Sequence, residues 1–186
     1  MILQAAPPHL RCWLLLCSDL AIRSGTAAKI TPENYDAATG NLTFTTKYGS
    51  KMTLPVTHEL RVIFAGREFE QNVPYVAQLP RGAYTTHHGV TRELKPLGRM
   101  IQASLQHEFA RLRRRLGITR KLTAHDFRRT TAVAIYEQTH DLRKVQAALG
   151  HAELNSTAWY LDHNLTPVAL ADLELAKLNP TTEAIQ

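Results

Sequence analysis

At 186 residues the chain has room for one ordinary domain or at most two small ones, and its 44% hydrophobic content suits a globular protein that buries a core without staples. Two cysteines exclude a disulfide framework and a four-ligand zinc centre, and they point to a reducing, cytoplasmic setting. The net charge of +6, with a pI of about 9.5, permits a polyanionic partner without requiring one.

The distribution of charge is more informative than its total. Residues 81–130 hold twelve of the 22 Lys and Arg against three acids, a local balance of +9 that leaves −3 for the rest. Such segregation is what a surface tracking phosphates needs, although a solvated helix face accounts for part of it.

Residues 10–22, following Pro7-Pro8, read as a buried helix, because Cys12-Trp13-Leu14-Leu15-Leu16-Cys17 is apolar all round. That run is too short to span a bilayer, and it lacks the charged start and small-residue cleavage site of a secretory signal. Residues 41–46 alternate and are rich in β-formers, with a turn at 36–40 before them. Lys47-Tyr48-Gly49-Ser50 reads as a hairpin turn and 51–56 as the returning strand, which ends at Pro55 or lies on an edge. Residues 72–96, with Pro74, Pro80, Gly82, Gly89 and Pro96, read as irregular and exposed.

Helices are expected at about 97–116, closed by Gly117, and at 123–138, started by Thr123 with Asp126 three residues on. Further helices are expected at 141–149, stopped by Gly150, and at 155–162. A last one, opened by Pro167, carries Leu170, Leu173, Leu175 and Leu178. The fold class is α+β, mainly α-helical, with a small antiparallel sheet near the N-terminus.

The chemistry-bearing residues are individually ordinary. His125 and Arg128 lie three apart and so share a helix face. The arginine fork fits a phosphate, and histidine exchanges a proton near neutral pH, yet any basic helix can present such a pair. Leu149-Gly150-His151 places a histidine just past a helix end, and Tyr160 follows nine residues later beside Trp159. Of these two aromatics Trp159 is the better core candidate and Tyr160 the better functional one. Arg23 directly follows the apolar helix and needs an anion or a polar exit. Lys47 stands at the shoulder of the hairpin, where lysines are usually just solvated.

Their order is specific. Arg23, the hairpin Lys47, His125-Asp126-Phe127-Arg128, Gly150-His151 and Tyr160 together resemble the tyrosine recombinase family, the lambda-type phage integrases in particular. The resemblance runs from about Leu10 to His163. It is carried mainly by Ala124-His125-Asp126-Phe127-Arg128-Arg129-Thr130 and by Leu149-Gly150-His151 through Tyr160-Leu161.

The resemblance implies a DNA breaking-and-rejoining catalytic domain over 1–186, without the family's N-terminal core-binding domain, and a 164–186 tail able to dock on a neighbouring protomer. It implies site-specific recombination or integration through a 3′-phosphotyrosyl intermediate. Tyr160 would be the nucleophile, His125 the base or proton acceptor, and Arg23 and Arg128 the clamps on the non-bridging oxygens. His151 would be a further donor and Lys47 the general acid, with Lys51 as its competitor. Arg99, Arg113, Arg114, Lys121 and Arg129 would contact DNA. The partner would be double-stranded DNA bound by a homo-tetramer that is a monomer in solution, with no membrane, metal or other cofactor. His87-His88 offers two adjacent imidazoles with no third ligand, a poor metal site.

One departure concerns the site itself: the family usually has a carboxylate three residues after the first arginine, and Thr26 stands there. Together with the short N-terminus, this leaves a second reading open, a catalytically impaired DNA-binding relic or regulator. A type IB topoisomerase shares the fold and chemistry, but the spacing from Gly-His to Tyr is closer to the integrases.

Overall fold

The computed structural model describes residues 2–47, 49–80, 83–85, 91–93, 102–151, 157, 158 and 161; for 83–85 and 91–93 it describes the backbone. The described chain is mainly α-helical with a small antiparallel sheet, the expected α+β class. It divides into two compact units, Met1–Arg128 and Arg129–Gln186.

The first unit is built around α2 (Pro8–Ser18), preceded by a single turn, α1 (Ile2–Ala5). Eight residues of α2 are buried, from His9 to Cys17, so this helix is core on nearly every face. The sequence places it at 10–22, and the structure shifts both ends. Pro8 sits in the first turn, where its missing N–H costs nothing. The far end stops at Ser18 because the chain turns: Ala21 takes a left-handed φ of 49°, and the Ile22 N–H reaches back to the Leu16 carbonyl at 3.0 Å. Helical 19–22 would carry Arg23 further around the helix.

Burial pushes the thiols of Cys12 and Cys17 up to about 12. Both remain neutral thiols across the physiological range, and the thiolate is the reactive form. A disulfide exchange reagent at pH 8 is therefore expected to modify neither cysteine in the folded protein and both after denaturant is added. Modification of the native protein within minutes would show that α2 opens readily.

Next come α3 (Ser24–Ala27), a 3-10 turn (Pro32–Asn34) and the strands β1 (Tyr35–Asp36), β2 (Asn41–Thr45) and β3 (Lys51–Pro55). The order is β1-β2-β3, antiparallel, with Leu42 opposite Leu54 and Thr43 opposite Thr53. Leu42 and Phe44 are buried and alternate with exposed Thr43 and Thr45, as period-2 patterning requires. β3 is an edge strand ending at Pro55, where proline removes no needed donor. The β1–β2 connection is an Asx turn: the Asp36 carboxylate accepts from the N–H of Ala38 at 2.9 Å and the Thr39 hydroxyl at 2.7 Å. These bonds, the Thr39 hydroxyl first, hold the exposed Asp36 carboxyl below the usual carboxylate range.

Helix α4 (His58–Ala65) buries Leu60 and Phe64, one helical turn apart. The sequence reading assigns no element there. α5 (Tyr75–Gln78) is buried throughout, and β4 (Ala83–Thr85) pairs with β5 (Thr91–Glu93). The irregular, exposed stretch expected at 72–96 is thus corrected. The Tyr75 N–H bonds the Ile30 carbonyl at 2.9 Å, and the Tyr75 ring stacks on Phe64 at 4.2 Å between centroids. This packing overrides the prolines that suggested a loop.

α6 (Gln102–Arg115) buries Leu105, Phe109 and Leu112 and ends at Gly117, with φ of 70°. The 97–101 portion of the expected helix lies outside the described residues. α6 is tied to α2 by His9, which is fully buried with Nδ1 3.2 Å from the Pro80 carbonyl and Nε2 2.6 Å from the Glu108 carboxylate. α7 (Ala124–Thr139) starts as expected: the Asp126 carboxylate accepts from the Thr123 N–H at 2.7 Å and from its hydroxyl at 2.6 Å. Phe127, one residue further on, packs edge-on against Phe109 of α6 at 5.8 Å.

In the second unit α7 buries Ala132 and Tyr136 and ends at left-handed His140. α8 (Leu142–Leu149) is capped by Asp141, whose carboxylate accepts from the Arg143 N–H at 2.8 Å, and it buries Leu142, Val145 and Leu149. Thr157, Ala158 and Leu161 are helical and buried, within the helix expected at 155–162. The leucine-bearing segment 167–178 and the 164–186 tail lie outside the described residues. No helix among the described residues is long and apolar enough to cross a membrane.

Candidate active site

Arg23 is the N-cap residue of α3, and its carbonyl accepts from the Ala27 N–H at 2.8 Å. Three contacts fix this turn from outside. The indole Nε1–H of the fully buried Trp13 donates to the Ser24 carbonyl at 2.9 Å. Gln102, at the start of α6, donates through Nε2 to the Ser24 hydroxyl at 2.7 Å. Arg128 donates through Nη1 to the carbonyl of left-handed Ala21, two residues before Arg23. A half-buried arginine thus leaves the core on a backbone that the core itself holds.

Lys47 lies two residues beyond the end of β2, at the exposed shoulder of the hairpin. The Thr46 N–H bonds the Ser50 carbonyl at 2.8 Å, and Gly49, with φ of 86°, accepts the left-handed turn that a β-carbon resists. The hairpin base is locked by the cross-strand pair Thr43–Thr53, whose hydroxyls are 2.9 Å apart. Tyr48, inside the turn, lies outside the described residues.

His125 is exposed in the first turn of α7, three residues before Arg128. Their shared helix face holds, but their environments differ. Arg128 is only 3% exposed, and a buried cation of this kind must be hydrogen-bonded to be tolerated. Its planar guanidinium donates through Nη1 to the Ala21 carbonyl.

The first unit contains a cleft of about 970 Å³ lined by Arg23, Lys47 and His125. Residues 24–26, Lys29, Asn34, Thr45, Thr46 and Gln102 complete much of its wall. Arg23, Lys29, Lys47 and the His125 imidazole therefore line a space with no carboxylate among its described lining residues, an arrangement suited to an anion. Thr26 lines this cleft. Lys51 is not in the lining; it stands opposite Thr45 in the β2–β3 ladder. Arg128 is not in the lining either and sits beneath the Arg23 turn.

In the second unit, Gly150 closes α8 with φ of 58°. The N–H groups of Gly150 and His151 bond the carbonyls of Ala147 and Gln146, both at 3.1 Å. This is a Schellman motif, and it fixes where His151 leaves the helix. The ring Nδ1 of His151 is 3.0 Å from the hydroxyl of buried Thr157, which orients the imidazole. Tyr160, Trp159 and His87-His88 lie outside the described residues.

The five expected DNA-contacting cations divide differently. Arg114 and Lys121 are exposed, while Arg113 is half-buried with Nη1 3.3 Å from the Leu122 carbonyl, so it also braces the α6–α7 connection. Arg129 is half-buried, and Arg99 lies outside the described residues. None of the four described ones lines the cleft. Sequence reasoning missed Lys29, Asn34 and Gln102, which do line it. Nothing in their local pattern marks them, since only the fold brings them there. Among the described residues no three His, Cys, Asp or Glu side chains group so as to hold a metal ion.

The phage integrase family model matches residues 2–166. The chain belongs to this family, that of the tyrosine recombinases. It is 39% identical over 64 residues to tyrosine recombinase XerC of Rickettsia typhi, a match covering 34% of this chain and 21% of that protein. With XerC of Agrobacterium fabrum it shares 26% identity over 148 residues, 79% of this chain and 44% of the relative. The chain thus spans less than half the length of these curated relatives. Among solved structures, the XerA recombinase superposes with a TM-score of 0.62 at 15% identity, over 100% of this chain and 63% of that one. A lambda integrase dimer bound to a COC′ core site gives a TM-score of 0.61 at 17% identity, over 88% of this chain and 56% of that one. At these identities the structures share the fold.

Proposed function

We propose that the chain is a site-specific DNA strand transferase, which cleaves and rejoins double-stranded DNA through a 3′-phosphotyrosyl intermediate. The observation that carries this is the cleft lined together by Arg23, Lys47 and His125, with no carboxylate among its described lining residues. Tyr160 supplies the nucleophile: its phenolic oxygen forms the new bond to phosphorus, and the bond from phosphorus to the 5′-oxygen breaks. A phenol with an ordinary pKa of about 10 needs an acceptor for its proton, and His125 takes it. Lys47 gives a proton to the departing 5′-oxygen. Arg23, Arg128 and His151 stabilise the charge that builds on the non-bridging oxygens. The tyrosyl ester keeps the energy of the broken phosphodiester, so attack by a 5′-hydroxyl reverses the step and rejoins DNA.

Membership of the family and the DNA complexes of XerH and lambda integrase among its structural neighbours support the reading. Thr26 in the cleft wall favours a second one, a DNA-binding chain of weakened catalytic power, because a threonine hydroxyl cannot supply the orienting charge of a carboxylate. A nicked suicide substrate carrying the native recombination site separates the two. A covalent protein–DNA band on a denaturing gel is expected for the wild type and none for Tyr160→Phe. Detectable DNA binding with no covalent band from either would overturn strand transfer in favour of the weakened form.

A further inference from the structure

Lys29 belongs to none of the roles above. It is the residue just past the C-cap of α3, six positions after Arg23, and the two bracket that short helix. Its side chain is exposed and lines the cleft with Arg23 and Lys47. An exposed lysine is usually a solvated one on a yielding backbone. The backbone here is held firmly. Ala28 and Ile30 on either side are 4% and 2% exposed. The Lys29 N–H bonds the Thr26 carbonyl at 2.9 Å, and the Ile30 carbonyl accepts from Tyr75 at 2.9 Å. A long flexible cation is therefore anchored at a fixed point on the wall of a cleft with no carboxylate among its described lining residues.

We infer that Lys29 is a further DNA-contacting residue, gripping a backbone phosphate other than the one held by Arg23. Arg23 and Lys29 leave the backbone at opposite ends of α3, which suits neighbouring phosphates of one strand better than a single one. Lysine binds phosphate as a point charge, so this contact positions the strand and reads no sequence. The inference rests on the proposed DNA substrate, but it does not need the chain to be catalytically competent.

The test is the salt dependence of binding to a 30-base-pair duplex by fluorescence anisotropy. Wild type, Lys29→Gln and Lys29→Arg are compared between 50 and 200 mM KCl. Each phosphate contact contributes about 0.9 to the slope of log affinity against log salt. Lys29→Gln is expected to bind more weakly at low salt and to flatten the slope by about 0.9. Over this fourfold salt range it would lose about 3.5-fold less affinity than the wild type. Lys29→Arg should restore the slope. An unchanged slope and affinity for Lys29→Gln would overturn the inference, as would a weaker affinity at unchanged slope. A second readout is covalent-adduct formation at saturating DNA: a fall of about 100-fold for Lys29→Gln would place Lys29 on the reacting phosphate and overturn the inference. A wild type that binds DNA yet forms no adduct defeats strand transfer alone, and the slope still decides for or against Lys29.

Discussion

Trp13→Ala is expected to destabilise the first unit by about 3–5 kcal/mol, the usual range for emptying a fully buried indole site. Trp13 has no exposed surface, and its N–H is the donor to the Ser24 carbonyl. The substitution therefore opens a cavity in α2 and releases the turn that follows Arg23. Domains of this size are stable by only about 5–15 kcal/mol in total, so the variant should melt roughly 10 °C or more below the wild type by circular dichroism. Trp13→Phe separates the two contributions. It keeps most of the apolar volume and loses the donor, so it should cost less stability while still loosening the Arg23 turn. Equal melting of Trp13→Ala and the wild type would mean that α2 does not organise the core as its burial indicates.

With the clamping role proposed for it, Arg128→Ala should lower covalent-adduct formation by about 100-fold or more, the usual consequence of deleting one donor to a developing anionic charge. It should also cost about 1–3 kcal/mol of stability, because the carbonyl of buried Ala21 loses its charged donor. The two losses are linked by position. Ala21 holds a φ of 49°, which residues with a β-carbon adopt reluctantly, and the Arg128 guanidinium is one of the contacts that keep it there. Arg128→Lys restores one donor without the planar fork. Part of the stability should therefore return in a thermal melt, while adduct formation stays low on the suicide substrate. Wild-type adduct levels in Arg128→Lys would show that a point charge suffices and that the fork has no special part.

The hairpin was legible because its information is local. Alternation sets the faces of β2, the turn residues set its length, and Pro55 marks the edge. α7 and α8 were legible for the same reason, as Asp126, Asp141 and Gly150 cap them through bonds spanning a few residues. The end of α2 was not. An apolar run announces burial, but the left-handed turn at Ala21 is held by an arginine 107 positions away. α5 is helical and buried because Tyr75 meets Ile30 and Phe64, contacts that no window of sequence contains. The site followed the same rule. Arg23, Lys47 and His125 could be singled out by order and chemistry, and the cleft receives all three. Lys29 and Gln102 became visible only with the fold, because a lysine after a short helix and a glutamine opening another are common everywhere.

Gly25 leaves room for the side chain that steadies the turn after Arg23. A β-carbon built there would lie 2.8 Å from the Gln102 side-chain oxygen, so the far end of that flexible side chain would have to move. The amide of the same Gln102 donates to the Ser24 hydroxyl, so that movement comes at the expense of this hold. A side chain at position 25 would thus reach Arg23 indirectly, by loosening the backbone that presents it.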